Sequence, residues 1–232
     1  DNYWYCYVLV MVIFMMIILY GVMVATSVTV EKSNRSIEVL VTSVDAKYLL
    51  FGKVFAGATA AIVQIGLILA SALIGYNINH TYWGDKLDMI LKIPGSVLAG
   101  FAVFGIGGFL FYAFLYGAMG ALVSKTEDIN KSAGTLQMLI MIVYFVVMFQ
   151  LPTPDSVVMK ICSFLPFSSY SAMFVRIGMG SVTIAEIMTS AVILFVSTFA
   201  AGWLAAKIYR MGTLRYGNPI KLTTALKNLK NN

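Results

Sequence analysis

Charged side chains in this sequence are concentrated in one stretch, EKSNRSIEVLVTSVDAKYLLFGK, which runs from Glu31 to Lys53. The stretch contains seven charged side chains, whereas residues 2–30 and 54–84 contain no Asp, Glu, Lys or Arg. Acidic and basic residues are mixed within it. A helix that only rests on anionic lipid would be strongly basic, while mixed charge allows complementary ion pairs with a protein. The chemistry that these residues offer is therefore electrostatic docking.

The spacing of apolar residues in this stretch predicts an amphipathic helix over residues 31–46. Four of them recur at i, i+3, i+4 and i+7 and form one stripe, namely Ile37, Leu40, Val41 and Val44. The first three are expected to hold the helix against the rest of the protein. The polar face carries the predicted docking residues, which are Glu31, Arg35, Glu38 and Asp45. Glu31 and Arg35 also form an acid-then-base i,i+4 pair.

Two residues after this helix are assigned to its junction with the next apolar segment. Gly52 would let the chain turn into that segment, because glycine is the most permissive residue in backbone conformation. Lys53 would mark the segment's boundary by extending its ammonium group to the interface. The alternative for the whole stretch is a short interfacial helix that only connects two spans.

The rest of the chain is composed for a lipid environment. Of its 232 residues, 60% are hydrophobic and 11% are charged, with a mean hydropathy of +0.87, whereas soluble domains have about 25% charged residues. Five uncharged segments are long enough to cross a bilayer, and they cover about residues 7–28, 54–76, 97–123, 135–151 and 187–206. These segments do not alternate as barrel strands do. The predicted fold is all-α, a polytopic transmembrane helical bundle with five spans.

The distribution of Lys and Arg over the connections predicts the orientation. Twelve lie on the side that carries the C-terminus and four on the other side. By the positive-inside rule, the N-terminus is outside and the C-terminus is cytoplasmic, which fits a multi-pass protein of a bacterial cell (plasma) membrane. The helix over 31–46 and a basic tail over 207–232 are then cytoplasmic, and the connection over 152–183 is outside.

Several kinds of chemistry are disfavoured by what the sequence lacks. No Asp, Glu, Lys or Arg lies at mid-depth in a predicted span, where Gln64 and Gln137 are the main strongly polar residues, so a transporter driven by an ion gradient is the weaker choice. P-loop, HExxH and GxSxG motifs are absent, and the single His80 cannot supply a histidine metal cluster. We expect no catalytic residue, metal site or cofactor in this chain, and any energy for transport to come from a partner.

A family resemblance is carried by EK-x-NR-x-IEV at residues 31–39, TSV at 42–44 and L-x-x-GK at 49–53. These runs resemble the ABC type-2 permease family, especially its sodium-export and multidrug branch, and the resemblance covers nearly the whole chain. In that family this segment is a coupling helix, seated in a cleft of a cytoplasmic ATP-binding subunit. The resemblance therefore implies an ATP-binding cassette partner that holds ATP and Mg, a second permease copy or paralogue, and no nucleic acid.

The resemblance also implies a fragment. Family members usually have six spans with a large outer domain between the first two, and this chain, which begins at Asp1, would lack the first span and that domain. We interpret residues 1–232 as a single permease domain, the non-enzymatic membrane subunit of an ATP-driven exporter of an ion, drug or other small substrate. The alternative is a non-transporting membrane scaffold or sensor that uses the same helix for docking.

The connection over 152–183 is predicted to be re-entrant or interfacial, because its two apolar stretches, 157–165 and 170–177, are too short to span. The resemblance implies a pair of short outer helices here, with Arg176 at a position where the family commonly has arginine. Its alternative role is to anchor the segment at lipid headgroups. Cys6 and Cys162 fall on this same side, so a disulfide between them is possible. The glycines of the third span favour close helix packing over a substrate-lining role.

Overall fold

The structure, a computed structural model, describes residues 2–79, 82, 93–213 and 224. Within these residues the chain forms eight α-helices, one 3₁₀ turn and no strands. The helices are α1 (Asn2–Ser33), α2 (Ser36–Ser43), α3 (Ala46–Ile78), α4 (Gly95–Leu122), α5 (Ile129–Gln150), α6 (Val157–Phe164), α7 (Ser169–Gly178) and α8 (Ile184–Thr213), and the 3₁₀ turn is Thr126–Asp128.

Five of these helices are long and apolar enough to cross a membrane, which confirms the predicted all-α bundle with five spans. They are α1, α3, α4, α5 together with the 3₁₀ turn, and α8. The five helices differ in how much of each is buried within the protein. In the most apolar part of each span, 61% of α4 is buried but only 17% of α3. The large apolar side chains that α3 leaves exposed suit contact with lipid, because nothing in water would favour them.

The contacts divide the helices into two compact units, which are described separately. The first consists of Asp1–Met15, Thr59–Gly108 and Ile142–Phe195. Its packing centres on the glycines of α4. Cβ atoms at Gly107 and Gly108 would collide with Leu194 and Tyr170, so these positions bring α8 and α7 against the α4 backbone. This close approach confirms the packing role predicted for the glycines.

The second unit consists of Met16–Ala58, Phe109–Met141 and Val196–Asn232. Small residues again set its helix contacts. A Cβ at Gly21 would meet the Tyr116 ring, and one at Gly117 would meet the Leu50 side chain. Both glycines therefore admit a large side chain from a neighbouring helix, and α1, α3 and α4 pack together in this unit.

Three predicted boundaries are wrong. The helix over 31–46 is interrupted, because α1 continues to Ser33 and α2 covers only Ser36–Ser43. Gly52 does not form the turn, because it lies inside α3 with nothing within 4 Å of a Cβ placed there. The predicted tail over 207–232 begins as helix, since α8 runs to Thr213. The rest of that tail, apart from residue 224, lies outside the described residues.

Candidate docking site

Helix α2 is a short link between two spans, and both of its junctions are tight. At its start, Arg35 adopts a left-handed conformation with φ 58°, which turns the chain out of α1. At its end, Val44 is extended, with φ −141° and ψ 140°, and α3 begins two residues later. Because so few residues separate the three helices, a displacement of α2 must displace the ends of α1 and α3 as well.

The two faces of α2 differ in exposure. Ile37 is buried, and Leu40 and Val41 are half-buried, so the residues predicted to anchor the helix lie on its inner side. Glu38 on the other side is exposed. Val39 is 70% exposed, an apolar contribution to the outward face that the sequence pattern did not indicate. Val44 was expected on the apolar stripe but is exposed, because the helix ends before it.

An open depression of about 560 Å³ lies beside α2. It is lined by Glu38, Val41, Thr42, Asp45, Ala46 and Arg210. The first five come from α2, the link after it and the start of α3, and Arg210 comes from α8. The two predicted docking carboxylates of Glu38 and Asp45 therefore share one surface with the guanidinium group of Arg210, a residue of the predicted tail. The signal that could have found it is the length of the apolar pattern, which continues to Ile208 and Tyr209, both buried.

Glu31 and Lys53 form an ion pair that joins α1 to α3. The Lys53 ammonium donates hydrogen bonds to Glu31 Oε1 at 2.5 Å and to Ser27 Oγ at 2.9 Å. Glu31 Oε2 is buried, with no hydrogen-bond partner among the described residues. Glu31 therefore lies at the end of a span and not on the outward face of α2. The ammonium of Lys53, expected to reach toward the interface, instead binds Glu31.

The C-terminal end of α4 is capped by side chains from α1. The last four carbonyl groups of a helix have no partner within it and carry the negative end of the helix dipole. Thr29 Oγ1 donates to the Gly120 carbonyl oxygen at 2.9 Å, and Lys32 Nζ donates to the Ala121 carbonyl oxygen at 2.8 Å. Lys32 is 1% exposed, so its charge is placed where the α4 terminus attracts a cation.

Two glycines allow this junction to form. A Cβ at Gly120 would collide with the backbone of Ala25 in α1. A Cβ at Gly212 in α8 would come within 2.6 Å of the Ala121 carbonyl oxygen. Backbones of α1 and α8 thus contact the same end of α4, one at each glycine. No spacing pattern indicates this role of Lys32, because the partner of its ammonium group is a backbone oxygen far along the chain.

The segment over 152–183 contains two short helices, α6 and α7, that pack on each other. In α7 nine of the ten residues are buried. Arg176 is 1% exposed, and its guanidinium group donates to Glu186 Oε1 at 3.0 Å. A headgroup anchor is therefore the wrong interpretation of Arg176, because its side chain is enclosed by protein.

Glu186 also starts α8 through a capping box with Thr183, which was not among the predicted features. The Thr183 backbone N–H donates to Glu186 Oε2, and the Glu186 backbone N–H donates to Thr183 Oγ1. The signal was readable as Thr-x-x-Glu before an apolar run. One carboxylate thus fixes both the first turn of α8 and the buried arginine of α7.

The two cysteines are free thiols in the structure. Cys6 is buried, and its Sγ occupies the space that a Cβ at Gly178, at the end of α7, would need. Asn2 Nδ2 and the Tyr5 hydroxyl both donate to the Gly178 carbonyl oxygen, at 3.0 Å and 3.3 Å. Cys6 therefore serves packing between α1 and α7, and the possible disulfide with Cys162 is not formed.

A family model described as "ABC-2 family transporter protein" matches residues 1–207 of this chain. The chain belongs to the ABC-2 transporter family. With its five apolar helices, this ABC-2 protein is a multi-pass membrane protein of the permease type, and membrane proteins of this family are in general not enzymes themselves.

Two curated relatives are similar to this ABC-2 protein over most of its length. The "Uncharacterized protein YhaP" of Bacillus subtilis is 26% identical over 217 residues, which cover 91% of this chain and 52% of the relative. The "Uncharacterized protein MJ1024" of Methanocaldococcus jannaschii is 28% identical over 207 residues, which cover 88% and 48%. The chain thus spans about half the length of these relatives. No solved structure matches it.

Proposed function

We propose that this ABC-2 protein is the membrane subunit of an ATP-driven exporter and that α2 docks on a separate ATP-binding subunit. The observation that carries the proposal is the position of α2. It is held inward by Ile37 and directs Glu38 and Val39 outward, and it lies between the ends of two spans. Charged and apolar side chains on one exposed face are what a protein partner requires for register and affinity.

Movement of α2 would reach the spans through short covalent and polar links. When ATP closes the partner subunit, the push on Glu38 displaces α2, and the tight junctions at Arg35 and Val44 carry the displacement to α1 and α3. The ion pair of Glu31 with Lys53 keeps the ends of these two helices together. We assign the docking face to Arg35, Glu38 and Asp45, and we assign Glu31 and Lys53 to the transmission of force.

Membership of the ABC-2 family supports three further assignments that we propose. ATP and Mg bind to the partner subunit, and a second copy of the permease or a paralogue completes the transport path. The membrane is the plasma membrane of a cell, with α2 and the C-terminus on the cytoplasmic side. This orientation is supported by the excess of Lys and Arg in the connections on that side.

Co-purification from native membranes tests the docking proposal. The protein is isolated in mild detergent as wild type, as Glu38→Lys and as Glu127→Lys, a matched charge reversal at an exposed residue outside α2. A P-loop ATPase should accompany the wild type and the control, and should be reduced at least tenfold with Glu38→Lys. If wild type and Glu38→Lys recover the ATPase equally, α2 is not the docking element. If neither wild type nor the control recovers one, the scaffold or sensor function is favoured.

A further inference from the structure

We propose that the docking surface is shared between α2 and α8 and that Arg210 determines which partner it accepts. This inference rests on the proposed function, because it concerns the same ATP-binding subunit. The segment that occupies the depression carries a basic side chain opposite Glu38 and Asp45, and a carboxylate opposite Arg210. An apolar side chain of that segment covers Val41 and Ala46.

The arrangement of charges supports this occupant. Glu38 and Thr42 lie one turn apart on α2, at i and i+4, and Asp45 follows in the link to α3, so all three line the depression. Arg210 enters from α8, and the positions between the charges are apolar. An apolar centre with charges of both signs around it is the anatomy of a protein interface, where arginine is enriched and lysine is depleted.

A lipid headgroup fits this surface less well. Anionic headgroups would be attracted by Arg210 but repelled by Glu38 and Asp45, and the surface of the cytoplasmic leaflet is negative. A partner segment with one basic and one acidic side chain complements charges of both signs on this surface. Charge complementarity of this kind also rejects wrong partners, since a like-charge contact disfavours them.

A contact at Arg210 would give the partner a second route into the bundle. Gly212, two residues further along α8, lies against the Ala121 carbonyl oxygen, which also accepts the hydrogen bond from Lys32. A force applied by the partner at Arg210 is therefore transmitted through α8 to the end of α4. A force applied at Glu38 is transmitted to α1 and α3. The ATP-binding subunit would in this way move four spans and not two.

Photo-crosslinking tests the shared surface. A photoreactive amino acid replaces Thr42, Arg210 or Lys207 in the protein within its own membranes, and crosslinked peptides are identified by mass spectrometry. Lys207 is the control, because its ammonium group lies over the Trp203 ring at 3.8 Å and does not line the depression. Positions 42 and 210 should crosslink to one peptide of a P-loop ATPase, and position 207 should not.

Charge variants complete the test. Arg210→Glu should weaken recovery of the ATPase at least tenfold, a change of about 1.4 kcal/mol or more, while Arg210→Lys and Lys207→Glu should stay within about threefold of wild type. An unchanged melting midpoint for Arg210→Glu shows that the loss is not a folding defect. If Glu38→Lys loses the ATPase but Arg210→Glu keeps it, the proposed function stands and the role of Arg210 is wrong. If Lys207→Glu loses the ATPase to the same extent, the loss reflects the change in net charge of α8, and Arg210 has no special role.

Discussion

The ammonium group of Lys32 donates a hydrogen bond to the carbonyl oxygen of Ala121 over 2.8 Å, so the end of α1 caps the end of α4. Both partners are buried, since Lys32 is 1% exposed and Ala121 is fully enclosed. Burial of an ammonium group carries a desolvation cost, which the negative end of the α4 dipole offsets here. This pair fixes the position of α1, the span that leads directly into the proposed docking helix.

Replacement of Lys32 by Met should lower the stability of the protein. The variant keeps most of the side-chain volume but removes the donor to a buried carbonyl group, which costs about 1–2 kcal/mol. The apparent melting midpoint in detergent should fall by about 3–6 °C. Lys125→Met, at an exposed residue, is the control and should change it by less than about 2 °C. A higher midpoint for Lys32→Met would mean that desolvation of the ammonium outweighs its hydrogen bond.

The contact of Gly120 with α1 is expected to tolerate no side chain. In Gly120→Ala, the new Cβ would overlap the Ala25 backbone, so the two helices must separate and the Thr29 hydrogen bond must lengthen. The loss of stability should be about 1–3 kcal/mol. Gly134→Ala in α5 is the matched control, because nothing lies within 4 Å of a Cβ there, and helix propensity should make it neutral or stabilising by up to about 1 kcal/mol. Equal effects of the two substitutions would contradict the close crossing.

The ion pair of Glu31 and Lys53 should couple energetically, because both side chains are largely buried, at 29% and 16% exposure. A double-mutant cycle with Glu31→Gln and Lys53→Met, measured by SDS titration in mixed micelles, should give a coupling energy of about 1–2 kcal/mol. The i,i+3 pair of Asp128 and Lys131, in which the lysine is 83% exposed, provides the comparison and should give less than about 0.5 kcal/mol. Equal coupling energies in the two cycles would contradict the proposal that the Glu31–Lys53 ion pair holds α1 and α3 together.

The contact of Arg176 with Glu186 should hold α7 in place against α1. Glu186→Ala leaves a buried guanidinium without its carboxylate, so local opening of α7 should become more frequent. Cys6, enclosed beneath Gly178, reports this opening, and its labelling by a maleimide should accelerate about tenfold.

Thr183→Ala is the control for that measurement. It removes one half of the α8 capping box but keeps the carboxylate beside Arg176. Labelling of Cys6 in this variant should change by less than about threefold. Faster labelling in Thr183→Ala than in Glu186→Ala would show that the capping box, and not the ion pair, holds α7.

The five spans could be predicted from the sequence because length and uniform apolarity alone identify a membrane helix. The anchoring face of α2 could also be predicted, since Ile37, Leu40 and Val41 share one side of any helix through them. The end of α1 could not. By their spacing, Glu31 and Lys32 belong to the predicted helix over 31–46, but in the structure they lie at the end of α1. Their partners there, Lys53 and the Ala121 carbonyl group, are not part of any local pattern.

Only the part of the candidate site that lies in one continuous stretch of sequence could be predicted. Glu38 and Asp45 lie in one charged stretch and were found by their spacing. Arg210 reaches the same depression from a helix that begins 139 residues after Asp45, counted from Asp45 to Ile184. A contact between residues so far apart in the chain leaves no periodic signal. The burial of Arg176 could not be predicted from the sequence either. The Thr-x-x-Glu motif at Thr183 and Glu186, which contains its ion-pair partner, could have been recognised.

The most direct test of the exporter function is whether α2 controls ATP hydrolysis by the partner. The protein is reconstituted in liposomes with the ATP-binding subunit that co-purifies with it, and the rate of phosphate release is measured for wild type, Glu38→Lys and Glu127→Lys. Wild type and Glu127→Lys should stimulate hydrolysis alike, and Glu38→Lys should lose at least nine-tenths of that stimulation, about 1.4 kcal/mol of coupling. Full stimulation by Glu38→Lys, or none by the wild type, would contradict coupling through α2.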